Sequence, residues 1–251
     1  MDEIELLIDL HRDGPRQGPG GDEQTRLAIR LSGLTGLSGL RIADIGCGTG
    51  AATRVLARDL DATVTAVDCL PEFIAELERA AASTALAHRI ETLVASMDAA
   101  PFEPGSLDAI WSEGAIYNVG FENGLRAWRP FLKPGGILAV SELTWLTADR
   151  PEELQRHWDR EYPEVGTAAE KIAQLERSGY SPIGYFVVPK HCWLDNYYRP
   201  LQARFEDFLD RNAHSAEAAA VVAAEREEIT LYERHADFVS YGYYLARKTA
   251  A

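Results

Sequence analysis

From Leu40 onward, short apolar runs alternate with segments in which apolar residues recur every three or four positions. The runs predict strands at "LRIADI", "ATVTAVD", "IETLVAS", "LDAIWSE" and "ILAVSEL". The segments between them have the periodicity of helices that pack one face against a sheet. Strands that alternate with helices predict a parallel sheet covered on both faces, with right-handed crossovers.

Three helices are predicted between these strands, at "AATRVLARDL", from Pro71 through "PEFIAELERAAASTAL", and around "FENGLRAWRPFL". Pro71 suits the first turn of a helix, where its missing N–H costs nothing. The sequence "KPGG" is expected to end the third helix before the fifth strand.

After Trp145 the pattern becomes helical and aromatic. Helices are predicted to start at Pro151 and Thr167, a strand at "PIGYFVVP", and two helices within residues 192–236. The alternation in "HADFVSYGYYLARK" predicts a last strand, which joins the sheet edge and can run antiparallel. Before the sheet, residues 1–39 are interpreted as a cap, in which the loop "RDGPRQGPGGDEQ" precedes a helix from about Asp22. Residues 40–251 then form the main domain, with a helical insertion at about 192–236.

The composition of the chain limits the kinds of partner that we expect it to bind. The 251 residues carry a formal net charge of -14, and their Lys and Arg side chains are scattered, whereas nucleic-acid surfaces need clustered cations. We therefore expect no nucleic-acid partner. No apolar run is long enough to span a membrane, and the acidic start predicts a cytoplasmic chain. Three cysteines and six histidines show no metal-ligand spacing, so no metal site is predicted.

Three glycines, Gly46, Gly48 and Gly50, separate the first strand from the helix that follows. Glycine permits positive φ and lets a ligand approach the backbone closely. Asp68 ends the next strand, where a carboxylate can accept hydrogen bonds from both hydroxyl groups of a ribose. This spacing predicts a nucleoside pocket at the carboxyl ends of adjacent parallel strands.

The string "ADIGCGTG" with "AVD" after it resembles motifs I and II of the class I S-adenosylmethionine-dependent methyltransferases, over residues 40–145. It is similar in particular to the ubiquinone and menaquinone methyltransferase-like branch, and "QGPGG", "SELTW" and "HCWLDNYY" resemble a bacterial set within that branch. The resemblance implies an α/β fold, with a Rossmann-like doubly wound sheet of seven strands in the order 3-2-1-4-5-7-6 and the last strand antiparallel. It also implies S-adenosylmethionine as cofactor and a small-molecule acceptor.

The same resemblance implies roles for individual residues. Asp44 and the three glycines would contact the methionine part of the cofactor, and Asp68 would hold the ribose. In "ASMDAAPFEPGSLDAIWSEGAIYN" a polar residue and then an apolar one, Ser96 and Met97, would meet the adenine. The family usually has Asp at the position of Ser96, so the contact with the adenine amino group passes to Ser96, Asp98 or a backbone carbonyl.

Residues that leave the fourth and fifth strands are expected to face the acceptor, because these strands end at the same edge of the sheet. Glu113 could orient the acceptor, take its proton or hold the cofactor amino group, or could be a helix cap or solvated acid. Tyr117 is a second catalytic candidate or a pocket wall. Asn118 and Glu142 are expected at the acceptor, with Trp145 as an apolar wall or a contact of the helix at 151.

The N-terminal loop offers Arg16 and Gln17, which could reach the cofactor carboxylate or the acceptor, or could belong to a linker. His191 is the histidine with the best claim to a role as a base, and a structural role is the alternative. Aromatic residues on one helical face within 192–236 are typical of a core or of a homodimer interface.

Two alternatives to a methyltransferase remain at this point. An NAD-dependent oxidoreductase would need the third glycine one turn later and a Tyr and Lys pair at helical spacing, and neither is evident. A protein that binds the adenosyl cofactor without turnover would carry the same glycines.

Overall fold

The computed structural model describes residues 3–250 and has eight strands in one sheet. The strands are β1 (Leu40–Ile45), β2 (Ala62–Asp68), β3 (Ile90–Val94), β4 (Leu107–Glu113), β5 (Leu132–Trp145), β6 (Gly166–Thr167), β7 (Tyr180–Val187) and β8 (Val239–Lys248). They lie in the order β3-β2-β1-β4-β5-β8-β7, and the two-residue β6 pairs with β5. Strands β1 to β5 pair in parallel, whereas β8 is antiparallel to β5 and β7. The predicted order 3-2-1-4-5-7-6 is confirmed once β6 is set aside.

The helices flank this sheet. They are α1 (Glu3–His11), α2 (Asp22–Ser32), α3 (Ala51–Asp59), α4 (Pro71–Ala82), α5 (Phe121–Trp128), α6 (Glu152–Glu161), α7 (Ala168–Arg177), α8 (Lys190–Trp193), α9 (Arg199–Gln202), α10 (Phe205–Arg211) and α11 (Ala216–His235). No helix among residues 3–250 has both the length and the apolar character needed to cross a membrane.

Both faces of the central strands are buried, which is why the strands have apolar runs. On one face Ile42 and Ala109 belong to a large apolar cluster, and on the other Ala43 and Ile110 belong to a second one. Successive side chains of a strand point to opposite faces, so each central strand contributes to both clusters. Polar residues are consequently displaced to the strand ends, where the site forms.

Three elements differ from the sequence prediction. The sequence does not predict helix α1, because its nine residues carry three acids around a short apolar face. The predicted helix around 121–132 ends at Trp128, since Pro130 has no N–H to continue it, and a 3-10 turn follows. The sequence "KPGG" is not a loop but the start of β5, where the pairing with β4 shifts register after Leu107.

The prediction of two helices within residues 192–236 is wrong in number. Between Lys190 and Gln202 the chain forms α8, one π-helical turn at Leu194–Tyr198 and α9, and then α10 and α11. Ala213 and His214, both at positive φ, separate α10 from α11. Short helices without strong periodicity carry little signal in the sequence.

Candidate functional site

A cavity of about 680 Å³ opens where β1, β2 and β4 end. One end reaches the glycine loop at residues 46–50, and the other reaches helices α1, α6 and α11. Its lining includes, from the predicted site, Gln17, Asp44, Gly46, Gly48, Asp68, Ser96, Met97, Glu113, Tyr117 and Asn118. Gly50 does not line the cavity; an added Cβ there would lie 2.2 Å from Leu77 Cδ1, so this glycine lets α4 pack against the loop. A pocket at the carboxyl ends of parallel strands is the usual place for a ligand in such a sheet.

The glycine loop needs its glycines for two reasons. Gly46 and Gly48 have φ of +73° and +54°, which favours glycine. An added Cβ would lie 2.4 Å from the Cβ of Ala115 at Gly46, and 2.6 Å from Gln17 Oε1 at Gly48. Because neither glycine has a side chain, neighbouring segments pack closely against the turn, and a ligand in the cavity can approach its backbone.

Asp68 ends β2 and lines the cavity in contact with this loop. Its Oδ2 accepts a hydrogen bond from the Gly48 N–H at 2.9 Å, and its Oδ1 accepts one from the Leu70 N–H at 3.0 Å. Burial raises the pKa of this carboxyl group, and the backbone donors oppose that rise. Each oxygen keeps a lone pair for a further donor, as two ribose hydroxyl groups would require.

Asp44 lies deeper, at 1% exposure, and its Oδ2 accepts a hydrogen bond from Thr53 Oγ1 at 2.6 Å. Burial raises its pKa to about 7, against the effect of the Thr53 hydrogen bond, and the charge of Glu113 raises it further. A buried carboxyl group facing a cavity can either accept from a cationic ligand or donate its own proton.

The predicted adenine segment follows β3. Ser96 Oγ donates to Asp98 Oδ1 at 2.5 Å, and Trp128 Nε1 donates to the carbonyl oxygen of Met97 at 2.8 Å. Ser96 and Met97 line the cavity whereas Asp98 does not. The Trp128 hydrogen bond fixes the backbone beside the Met97 side chain.

Glu113, at the end of β4, has donors on both carboxylate oxygens. Oε1 accepts from Thr25 Oγ1 at 2.6 Å, from Trp111 Nε1 at 3.1 Å and from Tyr243 OH at 3.1 Å. Oε2 accepts from Arg16 Nη1 at 3.2 Å. Sequence analysis missed Thr25, Trp111 and Tyr243, because the contacts join distant parts of the chain. With these four donors, the Glu113 side chain holds its neighbours in place.

The N-terminal loop is fastened to the glycine loop by Gln17. Its Oε1 accepts from the N–H and the hydroxyl of Thr49 at 2.9 and 3.0 Å. Its Nε2 donates to the carbonyl oxygens of His11 and Gly14 at 3.2 and 3.3 Å. The Gln17 amide therefore joins α1, its loop and the glycine loop into one wall of the cavity.

Arg16, next to Gln17, leaves one donor free. While Nη1 binds Glu113, Nη2 is buried and has no hydrogen-bond acceptor among residues 3–250, and Asp22 Oδ1 lies 4.0 Å away. Arg16 is part of the cavity lining, and a guanidinium nitrogen without an acceptor is a ready partner for a ligand carboxylate.

Besides Glu113, four residues are predicted at the acceptor, of which two line the cavity and two do not. Tyr117 is 41% exposed and contacts Tyr162 edge to face at 5.8 Å, and Asn118 donates to the Ala115 carbonyl oxygen at 2.9 Å. Glu142 is fully buried, with its Oε1 3.6 Å from Lys171 Nζ.

Trp145 is also outside the cavity lining, and Arg150 lies over its ring at 4.3 Å. The structure therefore gives Trp145 a packing contact near α6. His191 is exposed and does not line the cavity either.

Beyond the glycine loop the cavity widens into what we call the aromatic chamber, lined by Tyr117, Trp158, Tyr162, Trp193, Tyr197 and Tyr241. Three carboxylates, Glu161, Glu225 and Glu228, share this lining. Except for Tyr117, sequence analysis did not select these residues. It assigned the aromatic face within 192–236 to a core or an interface, whereas Tyr197, on the π-helical turn, faces the cavity. π-turns often occur at functional sites, but they leave no mark in the sequence.

Comparison with known proteins agrees with this site. Residues 42–136 match a family described as a methyltransferase domain. The chain is 33% identical over 189 residues to a ubiquinone biosynthesis O-methyltransferase of Xanthomonas euvesicatoria pv. vesicatoria, covering 73% of this chain and 72% of that protein. With the corresponding protein of Xanthomonas campestris pv. campestris the identity is 34% over 134 residues, 52% of this chain and 54% of the relative. The chain thus spans about half the length of the latter relative.

A solved structure has the same fold over its whole length. The S-adenosylmethionine-dependent methyltransferase from Geobacter sulfurreducens, in complex with S-adenosyl-L-homocysteine, superposes with a TM-score of 0.81 at 19% identity, covering 96% of this chain and 97% of that one. The glycine loop, Asp68 and these relatives lead to one conclusion. The chain belongs to the class I S-adenosylmethionine-dependent methyltransferase family.

Proposed function

We propose that this protein transfers the methyl group of S-adenosylmethionine to a small-molecule acceptor bound in the aromatic chamber. The observation that supports this most directly is the single cavity that joins the glycine loop to the chamber. A cofactor at the loop and an acceptor in the chamber would then share one enclosed space. The net charge of -14 further favours a small molecule over a nucleic acid as acceptor.

The residues at the loop fit the cofactor. Asp68 would accept hydrogen bonds from the ribose hydroxyl groups, and Gly46 and Gly48 would leave room for the backbone to approach it. Asp44, which faces the same space, would accept from the amino group of the methionine part. Ser96 and Met97 would meet the adenine.

Arg16 and Gln17 complete this set from the N-terminal loop. The free Nη2 of Arg16 would bind the cofactor carboxylate, as a charge-assisted hydrogen bond in a partly dry site. Gln17 would act indirectly, because both its amide oxygen and its amide nitrogen already form hydrogen bonds to the glycine loop, α1 and the N-terminal loop. Its proposed role is to keep the cavity wall closed.

When bound, the sulfonium cofactor supplies an electrophilic methyl group. Much of the catalysis of such a displacement comes from holding the acceptor at the right distance and angle. Tyr117 and Asn118 follow β4 and lie beside Ala115, so they would orient the acceptor at the boundary between loop and chamber.

Glu113 would be a positioning residue rather than a base. Its four donors occupy both oxygens, and the carboxylate holds Arg16 and Thr25 against the end of β4. The aromatic side chains of the chamber would exclude water from the acceptor.

Calorimetric titration with S-adenosylmethionine, S-adenosylhomocysteine and NAD in parallel tests this proposal. We expect binding of both adenosyl ligands at micromolar concentration and no heat from NAD. A second arm incubates the protein with methyl-labelled cofactor and pooled amines, phenols and catechols, and mass spectrometry should detect a labelled product. Binding of NAD alone would contradict the proposal, and tight cofactor binding without any product from a broad panel would favour a protein without turnover.

A further inference from the structure

One carboxylate of the aromatic chamber, that of Glu228, lacks a basic partner among residues 3–250, whereas Glu161 lies 2.7 Å from Arg160. Glu225 and Glu228 lie three residues apart on α11 and so share one face of that helix. His11 Nε2 lies 3.3 Å from Glu225 Oε1. Glu228 has no ion pair with any basic side chain among residues 3–250, and its Oε1 accepts only from Tyr198 OH, at 2.8 Å.

The carboxylate of Glu228 lies among tyrosine side chains. Burial raises the pKa of Tyr197 and Tyr241, and the negative charge of Glu228 raises each of them further. Burial also raises the pKa of Glu228 itself, to about 7, and the charge of Glu225 adds to that rise. A carboxylate surrounded by aromatic rings has the composition of a site for an organic cation.

An independent observation comes from Tyr241. Its side chain is buried, at 8% exposure, and lines the cavity. Its hydroxyl group forms no hydrogen bond with the described part of the chain and is not sealed from the cavity, so it is open to a ligand there. The chamber therefore presents a hydroxyl group without a hydrogen-bond partner and a carboxylate, Glu228, with one hydrogen bond and no ion pair among residues 3–250.

We propose that the acceptor carries a cationic amino group, which binds Glu228 and Glu225 and lies against the rings of Tyr197 and Tyr241. Because an ammonium nitrogen has no lone pair, the methyl group goes to another atom of the acceptor, whose lone pair displaces S-adenosylhomocysteine from the methyl carbon. This inference rests on the proposed function, since it names the class of acceptor for the same site. The alkyl groups of an ammonium ion would contact the ring faces, and an N–H or adjacent hydroxyl group would pair with Tyr241. Acceptors with a phosphate or carboxylate group would be repelled by the glutamates.

The test compares choline with 3,3-dimethylbutan-1-ol, its neutral isostere with carbon in place of nitrogen, on protein saturated with S-adenosylhomocysteine. Calorimetry should show choline binding at least about tenfold more tightly than the alcohol, because only choline gains from the carboxylates and ring faces. Glu228→Gln preserves the shape and an acceptor for Tyr198, and should abolish most of this preference. The matched control is Glu227→Gln, an exposed carboxylate on the same helix, which should leave the preference unchanged.

The outcomes separate the two proposals. If S-adenosylhomocysteine does not bind, the proposed function fails before the acceptor is tested. If it binds but choline is no tighter than the alcohol, including the case in which neither is detected, the cationic acceptor is overturned. The wild-type comparison needs no variant, so it stands even if Glu228→Gln does not fold.

Discussion

At the scale of single residues, the acidic side chains that line the cavity differ in role because their surroundings differ. Glu113 accepts from four donors, three of them on Oε1, whereas Asp44 has one strong donor and is buried. Asp68 keeps free lone pairs on both oxygens. The sequence alone identifies Asp44 and Asp68 through their place after the strands, but the environment of Glu113 depends on residues that are far apart in the chain.

For Asp68, we expect Asp68→Ala to weaken S-adenosylmethionine binding by about 1.5 to 3 kcal/mol, the size of a lost hydrogen bond to a charged group. Calorimetry measures the change. Asp61→Ala, at the opposite end of β2, is the control and should bind as the wild type does. An unchanged affinity in Asp68→Ala would remove the ribose assignment.

For Glu113, we expect Glu113→Gln to weaken cofactor binding about tenfold, because the loss of its charge leaves Arg16 less firmly held. The shape of the kcat–pH profile should stay the same, since a positioning residue takes no proton. Glu122→Gln on α5 serves as the control. Intact cofactor affinity with a large loss of kcat would instead make Glu113 the base.

For Asp44, the raised pKa links protonation to stability. The pKa of Asp44 in the folded protein, about 7, exceeds its ordinary value of 3.8. Protonation of Asp44 therefore adds to the free energy of unfolding fully below about pH 4, and this contribution is lost as the pH rises through 7. Between pH 5 and 8, without cofactor, the loss is on the order of 2 to 3 kcal/mol. Urea unfolding of Asp44→Asn should therefore show a shallower decline than the wild type, whereas Asp149→Asn, an exposed site, should match the wild type. Parallel curves for wild type and Asp44→Asn would contradict this.

At the scale of elements, α1 and its loop act as one wall of the site. A salt bridge and a hydrogen bond join α1 to the end of α10 and the residue after it, through Asp9 with Arg211 and Asn212. Gln17 joins the loop to Thr49. This unit closes the cavity from the side opposite the sheet, and Leu7 and Ile8 add apolar surface to the lining.

We expect Gln17→Ala to free this wall. Four hydrogen bonds would be lost, so hydrogen exchange of residues 3–21 should become faster and cofactor affinity should fall several-fold. Gln155→Ala on α6, outside the cavity lining, is the control. Unchanged exchange across residues 3–21 would show that other contacts hold the wall.

At the scale of the whole molecule, local patterns predicted the sheet, and resemblance supplied its strand order. Strands such as β1 and β2 are short, apolar and followed by glycine or acid, so each could be recognised from its own residues. The aromatic chamber could not, because α1, α6, α11 and the turn at Tyr197 meet there only after folding. The His11 and Glu225 side chains, 214 positions apart, illustrate the separation.

This separation along the sequence also explains why the pattern assigned Tyr197 to a core or an interface and Tyr241 to a strand. A large aromatic residue has the same pattern whether it packs inside the protein or faces a ligand. Helix α1 was missed for a related reason, since its apolar positions are few and its stability comes from contacts with α10 and α11.

The most direct test of the account is a crystal structure with S-adenosylhomocysteine bound. We expect the ribose hydroxyl groups within hydrogen-bond distance of Asp68, the carboxylate at Arg16 Nη2, and the sulfur atom facing the chamber lined by Tyr117, Tyr197 and Tyr241. A ligand whose ribose lies away from Asp68, or whose sulfur faces away from this chamber, would contradict the claim that one cavity serves cofactor and acceptor.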